Sequence, residues 1–168
     1  DVPRGGFLPG LAGVLTDHRF YRELIDAFCA RGGARLLYKR AGFIFWSYLH
    51  AHRYARSLEK TVLPDFLPDV CYSLWAREPA YALLLLKRRH RNIRAAVRLH
   101  GYDLYEERTK ELWQPFRRAL SQSMDLLAFV SRQGLAYYES RPYAAGAARR
   151  AVYYLGSGNV GARVEPNP

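Results

Sequence analysis

The chain has 168 residues, enough for one domain with a substantial core, and its hydrophobic and aromatic shares of 49% and 14% exclude a disordered protein. Lysine and arginine outnumber aspartate and glutamate 26 to 15, a formal net charge of +11 that calls for an anionic partner: nucleic acid, a phosphorylated substrate or an acidic membrane face. No apolar stretch is long enough to cross a bilayer; the best, Ala80–Leu86, stops after seven residues at Lys87-Arg88-Arg89.

Residues 1–16, with Gly5, Gly6, Gly10 and Gly13, read as loop with at most a turn of helix. Nothing there resembles a signal peptide, and a chain opening on Asp1 is expected to be a piece of a longer protein or a trimmed one. Asp17 can cap a helix running to about Ala30 and ended by Gly32-Gly33. A long helix is predicted over Ala34–Val62. Its stripe is Leu37, Ala41, Ile44, Tyr48, Ala51, Ala55, Leu58 and Val62, widened by Phe43, Phe45 and Trp46. Lys39, Arg40, Arg53, Arg56 and Lys60 fall on its far face, and Gly42 weakens it by about 1 kcal/mol relative to alanine.

After the proline-bounded break at 63–68 the rhythm shortens. Strands are predicted over Asp69–Ser73, Ile93–Arg98, Asp125–Ser131 and Arg149–Leu155. Helices fall between them: one with Pro79 in its first turn reaching Arg89, then Gln114–Ser123 and Gln133–Ser140. This alternation predicts an α/β fold, a Rossmann-like open parallel sheet flanked by helices. Four strands are few for such a sheet. No opening strand with a glycine turn precedes them, so the sheet is expected to be completed from outside the chain. Residues 156–168, rich in Gly, Asn and Pro, read as a linker, so 1–155 is the domain.

Cys29 and Cys71 lie in helical and strand patterns and read as small buried hydrophobes, which argues against a disulfide or zinc and for a reducing cytosol. His50 and His52 fall on different helix faces without an i, i+4 partner for a metal. There is no P-loop, GxGxxG or CxxC pair, and Gly156-Ser157-Gly158 has no helix after it.

The most informative segment is Arg98-Leu-His-Gly-Tyr-Asp-Leu-Tyr105, which follows a predicted strand. Ligands of open parallel sheets bind beyond the strands' carboxyl ends. There His100 could donate to a hydroxyl or phosphate, Gly101 permits close backbone approach, and Asp103 could hold His100 or a hydroxyl. The competing reading makes Asp103 a helix or turn cap and His100 an incidental surface residue. Ser73 and Trp75 belong to the same rim, where a serine also caps and a tryptophan also packs. Ser131, before Arg132-Gln133-Gly134, shares that ambiguity, although a helix amino end there suits an anion. The basic run 87–91 reads as a solvated helix end, and Arg53, Arg56 and Lys60 as a solvated face, with a membrane-surface patch as the alternative.

Four pieces resemble, in order, the amino-terminal domain of family-four (group 1) retaining glycosyltransferases of the two-Rossmann-domain GT-B type. They are Asp69-Val-Cys-Tyr-Ser-Leu-Trp75, Ala95-Ala-Val-Arg-Leu-His-Gly-Tyr-Asp-Leu-Tyr105, Gln114-Pro-Phe-Arg117, and Met124–Gly134 followed by Tyr153-Tyr-Leu-Gly156. Together they cover about half the chain, with Ala96 where the family often has serine. The resemblance implies an incomplete GT-B half with His100 facing the donor sugar as catalytic residue. It implies substrate contacts from Gly101, Tyr102, Asp103, Ser73, Trp75 and Ser131. It also implies a nucleotide-sugar co-substrate with no cofactor or metal, and a glycan, lipid or small acceptor, as in polysaccharide biosynthesis. The nucleotide-sugar site would belong to a missing carboxy-terminal domain, reached through 156–168. Nothing here matches that site, since Glu165 is the last acid, so the chain alone should turn over little or nothing. The expected location is cytoplasmic, including the inner face of an acidic membrane. A basic module for nucleic acid or acidic membrane is the alternative. It fits the ordered motifs less well, and nucleic acid ranks last among the partners.

Overall fold

The computed structural model describes residues 7–30 and 33–155, so the 156–168 linker and its Gly156-Ser157-Gly158 lie outside the described residues. Within the glycine-rich opening expected to be loop, Phe7–Thr16 forms helix α1. Its glycines serve packing rather than turning. A Cβ on Gly13 would lie 2.5 Å from His52 Nδ1, and one on Gly10 3.0 Å from Leu49 Cδ1. Bare backbone at both positions lets α1 lie against the next long helix.

Helix α2 (His18–Cys29) starts as predicted at Asp17, whose carboxylate accepts from Arg19 N at 3.0 Å. Tyr48 Oη and Arg88 Nη1 donate to the same carboxylate at 2.8 and 2.9 Å. Burial alone would raise the Asp17 pKa, but these three donors outweigh it and hold it below its usual range. The α2 C-cap is Ala30, and Gly33 opens α3 (Gly33–Thr61) instead of closing α2. The predicted stripe holds at Ile44, Tyr48, Ala51 and Ala55, which are fully buried, while Trp46 is exposed. Arg40 departs from its predicted place on the solvent face. It is 2% exposed and donates to the carbonyl of Ala27, in the last turn of α2, and to those of Glu111 and Leu112 in a turn far along the chain, so its charge is spent on buried backbone.

Strands β1 (Val70–Ser73), β2 (Arg94–Leu99), β3 (Leu126–Phe129) and β4 (Arg149–Val152) form one all-parallel sheet in the order β1-β2-β3-β4. Strands β1, β3 and β4 are shorter than their sequence patterns, β4 by its last three residues, Tyr153–Leu155, while β2 keeps its length and is shifted one residue along the chain. Between them run α4 (Glu78–Arg89), a single turn α5 (Gly101–Leu104), α6 (Arg117–Ser123) and α7 (Arg132–Glu139). Helix α6 begins three residues later than predicted. Phe116 sits at φ 59°, in the left-handed region, which breaks any helix entering from Gln114.

Every step in the strand order goes the same way, so crossovers of one hand stack their helices on one face. On that face Val97, Leu99, Leu127 and Phe129 are fully buried. On the other, Val70 and Tyr72 of β1 are 55% and 52% exposed and Arg94 and Arg149 reach solvent. The run Ala80–Leu86 is buried throughout because α4 lies between the sheet and α3, a helix enclosed on all sides. The basic residues ending α4 are structural rather than merely solvated. Lys87 pairs with Asp125, Arg88 with Asp17 and Arg89 with Glu59, tying α4 to β3, α2 and α3. Neither cysteine is the core residue expected: Cys29 is exposed at the end of α2, and Cys71 is half-buried on edge strand β1.

Candidate functional site

Because the sheet is parallel throughout, the carboxyl ends of all four strands share one rim. Ser73, His100, Ser131 and Tyr153 follow or end β1 to β4 there. The segment after β2 turns at once into α5, with His100 as its N-cap. Asp103 lies in that turn, fully buried. One carboxylate oxygen accepts from His100 N at 2.6 Å, and the other from Ala76 N in the loop after β1. Its two oxygens therefore cap α5 and fasten two rim loops together.

The imidazole of His100 is half-buried and lies against Trp75, ring centroids 4.3 Å apart with 35° between planes. His100 Nδ1 is buried toward the first turn of α5, in a capping-box arrangement too loose to form a hydrogen bond. Tyr102 is exposed, and the Arg77 guanidinium lies 5.8 Å from its ring centre. Gly101 accommodates the Arg108 guanidinium, which a Cβ there would approach to 2.6 Å. Ser73 Oγ donates to Trp75 O at 2.7 Å, and Ser131 Oγ accepts from Gly134 N at 3.0 Å as the α7 N-cap. The rim thus brings Trp75, His100, Gly101 and Tyr102 together. It commits Asp103, Ser73 and Ser131 to holding backbone.

Sequence reasoning missed the residue that organises this arrangement. Arg117 is 1% exposed and donates to Ala76 O at 3.0 Å, to Gln114 Oε1 at 3.2 Å, and to Asp103 O. It therefore clamps the same two loops as Asp103. The only sequence signal was the Gln114-Pro-Phe-Arg117 resemblance, which does not say that the arginine is buried. Gln114 supports the clamp by donating to Tyr102 O at 3.0 Å. Tyr153 and Tyr154, read from the sequence as strand and as part of the family resemblance, are exposed just beyond the end of β4.

Among the described residues no group of three or more His, Cys, Asp or Glu side chains could hold a metal ion, and no helix is long and apolar enough to cross a membrane. Fold and rim define a small α/β domain of the general Rossmann-like kind, with an open four-stranded parallel sheet. No family model, curated protein or solved structure matches the chain.

Proposed function

We infer that the chain is the acceptor-side half of a retaining GT-B glycosyltransferase, which moves a sugar from a nucleotide sugar to a glycan, lipid or small acceptor. The observation that carries this reading is the His100–Trp75 pair at the end of a central parallel strand, its backbone fixed by buried Asp103. With Nδ1 turned inward, Nε2 is the ring nitrogen left to meet a sugar hydroxyl or phosphate oxygen. Trp75 offers an apolar ring face beside it. Ser73, Asp103 and Ser131 then act by positioning, while His100, Gly101, Tyr102 and Trp75 are the contacts.

A second half fits the sheet. All-parallel sheets are ordinarily covered on both faces, whereas here β1 is an open edge and one face is half exposed. More sheet beside β1, and a nucleotide-sugar domain beyond 156–168, would complete the architecture. Arg40 and Arg117 spend two of the eleven excess positive charges on buried carbonyls, while the ion pairs of α4 leave the net charge as it is, so the preference over a basic module for polyanions rests on the rim and not on charge.

In the complete polypeptide, His100→Ala is expected to lower sugar transfer at least a hundredfold, the order of a positioned acid–base or electrostatic group, while the unfolding transition stays in place. Transfer from radiolabelled nucleotide sugars onto membrane and soluble acceptors measures it. Parent-like turnover with the variant would end this reading.

A further inference from the structure

Helices α1 and α2 both pack on α3, and each turns an apolar stripe away from it. Gly10 and Val14 are the buried residues of α1, whereas Leu8, Ala12 and Leu15 face solvent at the i, i+4, i+7 spacing of one helix face. In α2, Phe20, Glu23 and Ala27 are buried, and Tyr21, Ile25 and Phe28 repeat the same outward spacing. The five large side chains of the two stripes range from 47% exposed at Tyr21 to 74% at Leu8. Tyr21 Oη donates to Leu15 O at 2.7 Å, so the stripes meet where the helices join. Exposed apolar side chains are ordinarily scattered singly, and a joined set of this kind marks a contact surface.

The charge beside these stripes has one sign. Residues 7–30 contain three acids, and all are turned inward or paired. Asp17 and Glu23 are 6% and 5% exposed, and Asp26 accepts from Arg118 at 2.8 and 3.2 Å. Helix α1 has no charged residue. The exposed charged side chains of α2 and of the start of α3 are cations, Arg22, Arg35 and Lys39, and Tyr38 is exposed among them. The membrane alternative drawn from the sequence falls on α3, at Arg53, Arg56 and Lys60 beside Phe43–Tyr48. Within 43–48 only Trp46 is exposed, so the apolar part of such a surface lies on α1 and α2 instead.

We propose that α1 and α2 seat the protein on an acidic membrane surface. The two stripes enter the boundary between headgroups and acyl chains, and Arg22, Arg35 and Lys39 meet lipid phosphates. Apolar stripes flanked by basic and aromatic residues are the composition of helices that lie in that plane. The ten residues of α1 span about 15 Å, half the hydrocarbon thickness, so it lies on the bilayer rather than crossing it. Cations without exposed acids between them complement anionic headgroups, each adding about fivefold to binding near the surface. The surface is separate from the His100 rim and does not rest on its proposed chemistry.

Flotation of the full chain with vesicles measures binding, on phosphatidylcholine alone and on an equal mixture of phosphatidylcholine and phosphatidylglycerol. Binding to the mixed vesicles, weakened by added salt, is expected. Ile25→Glu/Phe28→Glu changes two exposed side chains, so the unfolding transition should stay in place while binding falls about tenfold or more. Arg22→Gln should weaken binding to the mixed vesicles about fivefold. Val70→Glu/Tyr72→Glu makes the same charge change at a similarly exposed apolar pair on the open sheet face, and should bind far more tightly than the α2 pair variant. A fluorophore on Cys29, exposed one turn from Ile25, should be quenched by spin-labelled lipid, and one on Cys71 of β1 should not. No binding to mixed vesicles at low salt, an equal loss in both pair variants, or a parent that dimerises through the stripes and ignores vesicles overturns the proposal.

Discussion

Replacing Glu23 by glutamine isolates one buried ionisation. The residue is 5% exposed, with its carboxyl against Trp113 Nε1 and the Phe116 N–H. Burial is the largest influence and Asp26 adds to it. The two donors and Arg117 pull the other way without prevailing, so the pKa rises from 4.5 to about 7. The folded protein thus keeps a proton that the unfolded chain has already released between those values. Its contribution to stability is full below 4.5 and is lost as pH rises through about 7. The gap between the two values corresponds to about 3 kcal/mol.

The parent alone does not reveal this slope, because His52 runs against it. Burial lowers its pKa from 6.5 to about 4, so its contribution is present above 6.5 and lost as pH falls through about 4. Comparing parent and Glu23→Gln cancels His52. Any fixed cost of placing an amide NH₂ near the Phe116 N–H cancels as well. Urea unfolding of both proteins at about pH 5 and pH 8.5 should show the variant gaining about 3 kcal/mol on the parent between the two conditions. A parent–variant difference that is the same at both pH values would refute the buried, protonated Glu23 and the electrostatics drawn from it.

Asp103→Ala removes both acceptors that hold His100 N and Ala76 N, and two buried amides left unpaired should cost about 2–4 kcal/mol in urea unfolding. A variant of parental stability would return Asp103 to the role of a direct ligand contact. The helix glycines should respond oppositely to alanine. At Gly13 a Cβ would meet the buried His52 ring at 2.5 Å, so Gly13→Ala should destabilise by about 1–3 kcal/mol. At exposed Gly42 nothing lies within 4 Å, and Gly42→Ala should stabilise by about 1 kcal/mol. Thermal unfolding of the pair checks both signs, and a shared sign would mean that α1 does not pack on α3 as described.

What was legible in the sequence follows from the range of the interactions involved. Period and punctuation located α4 with Pro79 in its first turn, Asp17 as a cap, and four strands in parallel alternation, because each is decided by neighbours a few positions away. Helix α1 was misread because glycine has two uses, turning and close packing. Only the position of α3, beyond any local window, decides which applies at Gly10 and Gly13. Arg40 was placed in solvent on its charge, yet its acceptors at Glu111 and Leu112 lie some 70 positions further along. The start of α6 was misplaced because the left-handed Phe116 follows from tertiary constraint, aromatic residues having no intrinsic preference for that region. At the site, the rim position of His100 was readable from a strand followed by a polar segment. The two uses of Asp103 could not be separated until Ala76 appeared beside it.

The same distinction governs how the rim should be understood. The Ala76 peptide is held on both sides, its N–H by the Asp103 carboxylate and its carbonyl by Arg117 and Tyr81. One position earlier, Trp75 presents its ring to His100, whose own N–H is held by Asp103. The tilted pair therefore stands on two backbones that share a clamp, and neither backbone can shift far without breaking buried hydrogen bonds. Arg117 and Asp103 achieve this without meeting in a direct side-chain ion pair. Each spends its charge on peptide groups, where charge-assisted hydrogen bonds are strong and directional. Such pre-positioning is what a binding or catalytic constellation requires of its supporting residues. A loss of activity on changing Arg117 or Asp103 is thus expected through geometry alone. Only changes at His100 and Trp75, made with the clamp intact, speak to the chemistry of the rim.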